Sequence, residues 1–348
     1  MRRRTYLDWN ASAPLRPEAR EAMVSALDLV GNPSSIHAEG RAARGVVERA
    51  RAEVAEAFGA QSSDVVFTSG ATEAAALALT GRDLAGAPVE HDAVAAWVDG
   101  ALPVSAEGLV AVSEPTRTAL QMANSETGVV QSLPKGIAVT DATQAFGKLP
   151  VAFDWSGAQM ALISSHKIGG PKGVGALILR RGLDVMALIR GGGQEMGRRS
   201  GTENVAAIAG FGAAASAAAR DLAEGSWERV AELRDWLEGA LASGAPDTIL
   251  VGNGAPRLPN TICLATPGWK GETQVMQMDL AGYAVSAGSA CSSGKLSRSR
   301  TLSAMGLDER TAGSAIRVSL GSTTTREEAE GFAGAWLAQN RKFRARAA

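Results

Sequence analysis

The sequence predicts an α/β protein whose mostly parallel sheet is sandwiched by helices, and three observations carry that prediction. Short apolar, β-branched runs recur at Val65 to Phe67, Ala119 to Ala123, Ile137 to Thr140, Met160 to Ile163 and Val174 to Leu179. Continuous apolar runs of this length read as strands buried on both faces, the pattern of parallel sheets. Several of them end in polar or small residues (TSGATE, NSETG, DATQ, SSHK) and give way to helical patterns. Open α/β sheets place their chemistry at these carboxyl strand ends.

The composition narrows the function classes. A chain of 348 residues can bury a large core, and its length suggests about two domains. Lys plus Arg (35) nearly balance Asp plus Glu (36), so no overall field favours nucleic acid or an anionic membrane. The partner expected on these grounds is a small molecule or another protein. Two cysteines, Cys263 and Cys291, are too few for a disulfide framework and fit a reducing compartment. Three arginines follow Met1 but no apolar h-region succeeds them, and no apolar stretch approaches a membrane span. The expectation is a soluble, cytoplasmic protein.

In chain order, an extended segment (TYLDWNASAPL) leads into a helix opened by Pro17 and carrying Ala22, Met23 and Leu27. The polar turn GNPSSIHAEG precedes a longer helix, about Arg41 to Phe58, with Val47, Ala50 and Val54 on one face and Gly59 as its stop. The strand at Val65 runs through TSGATE into an alanine-rich helix. Strand, small-residue turn and helix is the geometry in which free N–H groups bind a phosphate, although Ser69 or Thr72 as an ordinary N-cap explains the same residues. Ala87 to Val94 (APVEHDAV) reads as a further strand and helix. After the strand at Met160 comes SSHKIGGPKG, centred on Lys167, whose glycines and proline forbid regular structure. A partly buried lysine here is a Schiff-base nucleophile or, equally, a turn lysine. GGGQEMGRRSGTEN, from Gly191 to Asn204, implies irregular backbone near a ligand or partner, or a surface loop. Two long helices follow, about Val205 to Leu222 and Trp227 to Ala242. Beyond them short strands (NTICLA, YAVSAG, AIRVSLG) and a last helix near Arg326 to Leu337 indicate a second domain, and the basic tail RKFRARAA is expected to fray. The division expected is a large domain over residues 15–222, and a small one over residues 1–14 and 223–348.

Four strand ends offer polar groups able to converge: His91, Asn124, Asp141 with Gln144, and His166 with Lys167. Asp141 precedes Lys167 by 26 positions, one βα unit between neighbouring strands. A lysine to carry an aldehyde, a carboxylate to keep a pyridine nitrogen protonated and a helix start for a phosphate together point to pyridoxal 5'-phosphate.

The chain resembles the cysteine desulfurases of the class V aminotransferase family, fold type I enzymes dependent on pyridoxal phosphate. The matching stretches stand in order as YLDWNASAP, GNPSSIHAEG, FTSGATE, VEHDAV, MANSETGVVQ, DATQAFGKLP, SSHKIGGPKG, GGGQEMGRRSGTEN, RLPN, SAGSACSSG and IRVSLG, spanning nearly the whole chain. The resemblance implies a seven-stranded, mostly parallel sheet in the large domain and a smaller α+β domain carrying the cysteine loop. It implies that Lys167 carries the cofactor, His91 stacks on the ring, Asp141 pairs with its nitrogen and Gln144 bonds its phenolic oxygen. Ala71, Thr72, Ser164 and His166 would hold the phosphate, with Thr202 reaching in from the other subunit of a homodimer. Asn124 and Arg317 match positions that bind the substrate carboxylate, for which a bidentate guanidinium is fitting. Cys291 matches the catalytic cysteine, set among small residues, whereas Cys263 in NTICLA reads as a buried small hydrophobe.

The implied reaction takes sulfur from L-cysteine, leaving alanine and a persulfide on Cys291, with Lys167 moving the α-proton and His91 a proton carrier. The sulfur then passes to an acceptor protein, for iron–sulfur cluster assembly or tRNA thiolation. The sequence departs from the family pattern at Ser125 and Ser12, in a short stretch between Ala87 and Val139, and in KLSRSRTL after Cys291. A selenocysteine lyase or another class V enzyme, and a non-catalytic sulfur-transfer scaffold, are the alternatives.

Overall fold

The computed structural model describes residues 4–288 and 299–347. In chain order the elements are β1 (Thr5–Tyr6), α1 (Pro17–Leu27), α2 (Ala38–Ala57), β2 (Ser63–Thr68), α3 (Ala71–Leu79), α4 (Asp92–Ala95), β3 (Ala119–Gln121), β4 (Val139–Asp141), α5 (Phe153–Ser156), β5 (Met160–Ser164) and β6 (Gly175–Arg180). They continue with α6 (Val205–Ala223), α7 (Ser226–Gly244), β7 (Ile249–Leu250), β8 (Thr261–Ala265), α8 (Gly271–Ala281), β9 (Tyr283–Ala284), β10 (Ser286–Ala287), α9 (Arg300–Ala304), α10 (Glu309–Ala312), β11 (Ala315–Ser319) and α11 (Arg326–Ala347).

The central sheet runs β2-β6-β5-β4-β3. Its strands alternate with period two between helical layers. Val65, Phe67, Ala161, Ile163, Ala176 and Ile178 share a core with α1, α2 and α6. Val66, Val139, Met160, Leu162, Leu177 and Leu179 share the opposite one with α3 and α4. Both faces are therefore covered, which is why the strands read as unbroken apolar runs. Small residues set the helix spacing on the first face: a Cβ at Gly212 of α6 would lie 2.7 Å from the Ala50 Cα of α2.

Where seven mostly parallel strands are expected, the described sheet has five and is mixed. β3, β4 and β5 are parallel, but β6 runs antiparallel to both β5 and β2. The reason is chain length: residues 165–174 join β5 to β6, fewer than the dozen or so that a parallel crossover needs. Beyond β3 the sheet continues only as an isolated parallel bridge, Ala85 to Thr118. The expected strand at Ala87 does not form. Pro88 lacks a ladder donor, and the chain turns directly into the four-residue α4.

A second sheet, β10-β11-β8-β7, is antiparallel and packs with α7, α8 and α11. The amino-terminal segment joins it, since β1 pairs with β9, Asp8 bridges Ser319 and Leu7 is fully buried in this second core. Cys263 lies in β8, completely buried, and burial pushes its thiol pKa well up, so it is a packing residue.

Two expectations about the helices change. The tail predicted to fray is the end of α11, with Phe343 stacked on Trp269 at 5.6 Å and Arg344 paired with Asp247 at 2.6 Å. Packing against Trp269 supplies what local propensity does not. α6, at 19 residues, is long and apolar enough to cross a bilayer, against the reading that no stretch approaches a span. Here it is a core helix, with Ile208, Phe211 and Ala215 buried.

Candidate active site

The carboxyl ends of β3, β4 and β5 stand side by side, with Gln121 in register with Asp141 and Asp141 with Leu162. They open onto a cavity of about 460 Å³. Immediately after β5, a one-turn 3-10 helix, Ser165–Lys167, brings Lys167 to its wall. The Lys167 Nζ donates to the backbone carbonyls of Asn10 (2.7 Å) and Ala11 (3.0 Å). Gly170 holds the turn tight, since a Cβ there would lie 2.0 Å from Ser165 Oγ.

His166 faces the amino-terminal segment, its Nδ1 3.3 Å from Ser12 Oγ. Burial, then the charges of Lys167, Lys172 and Lys148, lower its pKa to about 4. At neutral pH it is an uncharged imidazole, a hydrogen-bonding group and not a cation.

Asp141 accepts from the Thr143 N–H at 2.9 Å, a turn that directs Gln144 into the same cavity. Gln144 Nε2 donates to the Asn10 carbonyl at 2.9 Å. Across the cavity, His91 precedes α4 and caps it, accepting from the Ala93 N–H at Nδ1 (3.1 Å). That contact places the proton of the neutral ring on Nε2. Glu90, next to it, is fully buried and accepts from the Gln121 N–H at 3.0 Å; burial and then the Asp141 charge raise its pKa well above the carboxylate range.

The turn before α3 does not carry the side-chain cap offered as one explanation of TSGATE. The N-cap is Gly70, with no side-chain capping bond, so neither Ser69 nor Thr72 caps the helix. The first-turn N–H groups are left to whatever lies beyond them. Gly70, Ala71 and Thr72 line the cavity, and a Cβ built at Gly70 or Gly173 would meet no atom within 4 Å. The space beside the helix start is open.

Nine of the expected site residues line this cavity: Ala71, Thr72, His91, Asp141, Gln144, Ser164, His166, Lys167 and Arg317. Arg317 of β11 is 3 % exposed and bonds Asp8 Oδ1 (2.7 Å) and the Ser125 carbonyl (2.9 Å). Its Nε has no hydrogen-bond partner. Asn124 does not line the cavity. Its Oδ1 accepts from the N–H groups of Glu126 (2.9 Å) and Thr127 (2.8 Å), its Nδ2 donates to the Val89 carbonyl, and Ser125 takes the wall position. Thr202 is exposed and lines a smaller neighbouring cavity that shares Ser69 and Gly173 with this one. Cys291 lies outside the described residues.

Asn10, Gln121, Thr143, Lys148 and Lys172, at or behind the wall, are not among the expected site residues, and Ser12 and Ser125 entered only as departures from the family pattern. Lys148 is distinguished by burial alone, at 2 % exposed. In the sequence it is a charged residue in a turn, and nothing local signals that it is inside.

The class-V aminotransferase family matches residues 5–95 and 109–332 of the chain. The unmatched residues between those limits fall in the stretch read as shortened. A cysteine desulfurase IscS of Dictyoglomus turgidum is 38 % identical over 94 % of this chain and 92 % of its own length. An IscS-like cysteine desulfurase of Mycobacterium tuberculosis is 37 % identical, over 93 % of each. Among solved structures, a NifS-like protein from Rickettsia africae superposes with a TM-score of 0.86 at 33 % identity, over 96 % of this chain and 98 % of that one. An uncapped helix start, a lysine and a carboxylate at neighbouring strand ends, and likeness over nearly the full length agree: the chain belongs to the class-V aminotransferase family and, within it, to the cysteine desulfurases.

Proposed function

We propose that the protein removes sulfur from L-cysteine, releasing L-alanine and passing the sulfur through Cys291 to an acceptor protein. The observation that carries this reading is the meeting of Lys167, Asp141 and the uncapped start of α3 around one cavity that Arg317 also lines. The residues fit pyridoxal 5'-phosphate. Lys167 supplies an amine for its aldehyde, Asp141 a carboxylate for the pyridine nitrogen, Gln144 an amide for the phenolic oxygen and His91 a ring to lie against it. Ala71, Thr72, Ser164 and His166 supply phosphate donors, joined by Thr202 of a second copy of this chain in a homodimer. When bound, the cofactor supplies an electron sink for the substrate's α-carbon.

The chain's own groups do the rest. Arg317 holds the substrate carboxylate with its guanidinium fork. The Lys167 amine takes the α-proton as general base and returns a proton on the way to alanine. The Cys291 thiolate attacks the substrate sulfur; the new S–S bond forms as the C–S bond breaks, and its electron pair stays with carbon, which is then protonated. The persulfide left on Cys291 is the sulfur donor, with iron–sulfur cluster assembly or tRNA thiolation as its destinations. His91, with its proton on Nε2, is placed to carry protons across the cavity. We assign residues 15–222 to the large cofactor-binding domain and residues 1–14 with 223–348 to the small domain.

The test is release of alanine and persulfide from L-cysteine by the purified holoenzyme, with selenocysteine as the competing substrate. C291A should bind cofactor and lose persulfide. K167A should lose turnover by roughly 10³-fold or more, the scale of a missing general base. Sulfur release by C291A at the parent rate would sink the reading.

A further inference from the structure

Lys148 is a buried charged-type side chain behind this cavity that the reaction above does not use. It sits four residues after Gln144, in the turn that follows β4, and is 2 % exposed. Its Nζ donates to Gln144 Oε1 at 2.7 Å and to Asn10 Oδ1 at 3.0 Å. A lysine has donors only, so it decides which end of each amide turns toward it. Gln144 is held with its oxygen inward, leaving Nε2 on the side of the Asn10 carbonyl and the cavity. Asn10 is held likewise: its Oδ1 also accepts from Asn260 Nδ2 at 3.1 Å, and its Nδ2 donates to Thr261 Oγ1 at 2.8 Å. The same Asn10 presents its backbone carbonyl to Lys167 Nζ at 2.7 Å. Lys148 therefore reaches Lys167 through one residue and the cavity wall through another.

Nothing about packing alone explains a lysine here. Burying an amine is unfavourable by several kcal/mol unless it is well paired, and a surface lysine would keep its head in water. These two partners are neutral amide oxygens, not carboxylates. An apolar side chain of equal length would fill the space without that cost, but it would take away the bond to Gln144 Oε1 and one of the two that Asn10 Oδ1 accepts. Burial, with the positive charges of Lys167 and Arg317, pushes the Lys148 pKa well below its ordinary value. In either protonation state the nitrogen has a donor for each amide.

We propose that Lys148 is a positioning residue of the site: its bonds to Gln144 and Asn10 hold the Gln144 amide nitrogen toward the cavity and the Asn10 carbonyl on the Lys167 amine. The Gln144 half of this statement rests on the cofactor reading given above, and the Asn10 half does not. The experiment separates them.

In the cofactor-free protein, competitive acetylation with acetic anhydride, read by peptide mass spectrometry, follows the reactivity of the Lys167 amine against pH. K148M is expected to move the midpoint of that curve by about half a pH unit or more, while the exposed Lys135 and Lys270 keep theirs. Superimposable Lys167 curves overturn the proposal. If K148M fails to fold, K148Q carries the same comparison. In the second arm, pyridoxal 5'-phosphate affinity is measured for Q144L, K148M and the double variant. Each single change should weaken binding by about tenfold, and the double should be no weaker than Q144L by more than about twofold. Losses that multiply overturn the route through Gln144. If the wild type takes up no pyridoxal phosphate, the functional reading fails while the acetylation arm still decides the role of Lys148.

Discussion

Two lysines grip Asn10 from different sides: Lys167 takes its backbone carbonyl and Lys148 its side-chain oxygen. Burial beside them, and then the charges of Lys167, Lys172 and Lys148, lower the His166 pKa to about 4 from an ordinary 6.5. The unfolded chain binds that proton more readily, so as pH falls from 6.5 toward 4 the folded state loses stability, and above 6.5 the contribution is flat. After allowance for solvent screening at a half-buried ring, the loss is on the order of 1–2 kcal/mol. Urea denaturation of wild type and H166Q across that window should show the slope in the first and a reduced slope in the second. Gly147 is the other residue whose role is readable. It adopts φ +71°, and a Cβ there would sit 2.8 Å from an Ile168 methyl and 2.9 Å from Ala218. G147A combines left-handed strain with overpacking, and should cost about 2–4 kcal/mol by urea denaturation.

At the scale of elements, α11 shows what a local reading leaves out. RKFRARAA has the composition of a loose basic tail, yet Phe343 stacks on Trp269, which also meets Trp336 at 5.4 Å. F343A should cost about 1–3 kcal/mol, part area burial and part ring contact. Circular dichroism should show α11 shortened while the cofactor site is unaffected. A stability change within about 0.3 kcal/mol would mean that the stack contributes nothing. β6 teaches the complementary lesson. Its apolar run is plain in the sequence, but its direction depends on the length of the connection before it. The β2–α3 turn lies between these cases: its residues are plain, and only the backbone shows that no side chain caps the helix.

At the scale of the molecule, the site is assembled from distant parts of the chain. Residue 10 reaches residue 167 because the first strand is pinned to the second core by β9 and by the Asp8 to Ser319 bridge. Arg317 arrives from β11, and Asp8 bonds both Arg317 and Ser286. If Thr202 completes the site of a second copy, mixing two defective chains should rebuild one sound site. K167A homodimers should bind no cofactor covalently, and T202A homodimers should bind it more weakly. The K167A:T202A hybrid, separated by differential tagging, should hold about one cofactor per dimer at wild-type affinity. A hybrid no tighter than T202A alone would place Thr202 in its own subunit's site.

The sequence by itself determined the α/β class, the apolar runs of the central sheet's five strands, and the lysine, carboxylate and small-residue turn that line the cavity. Each is a local pattern, written in apolar periodicity or in a short motif with one mechanical purpose. The tertiary structure decided what depends on distance. It set the direction of β6, ordered α11 as far as Ala347, turned Asn124 away from the cavity and buried Lys148 behind it. Burial, pairing and pKa arise from groups that are remote in the chain and adjacent in space. No single stretch of residues carries them.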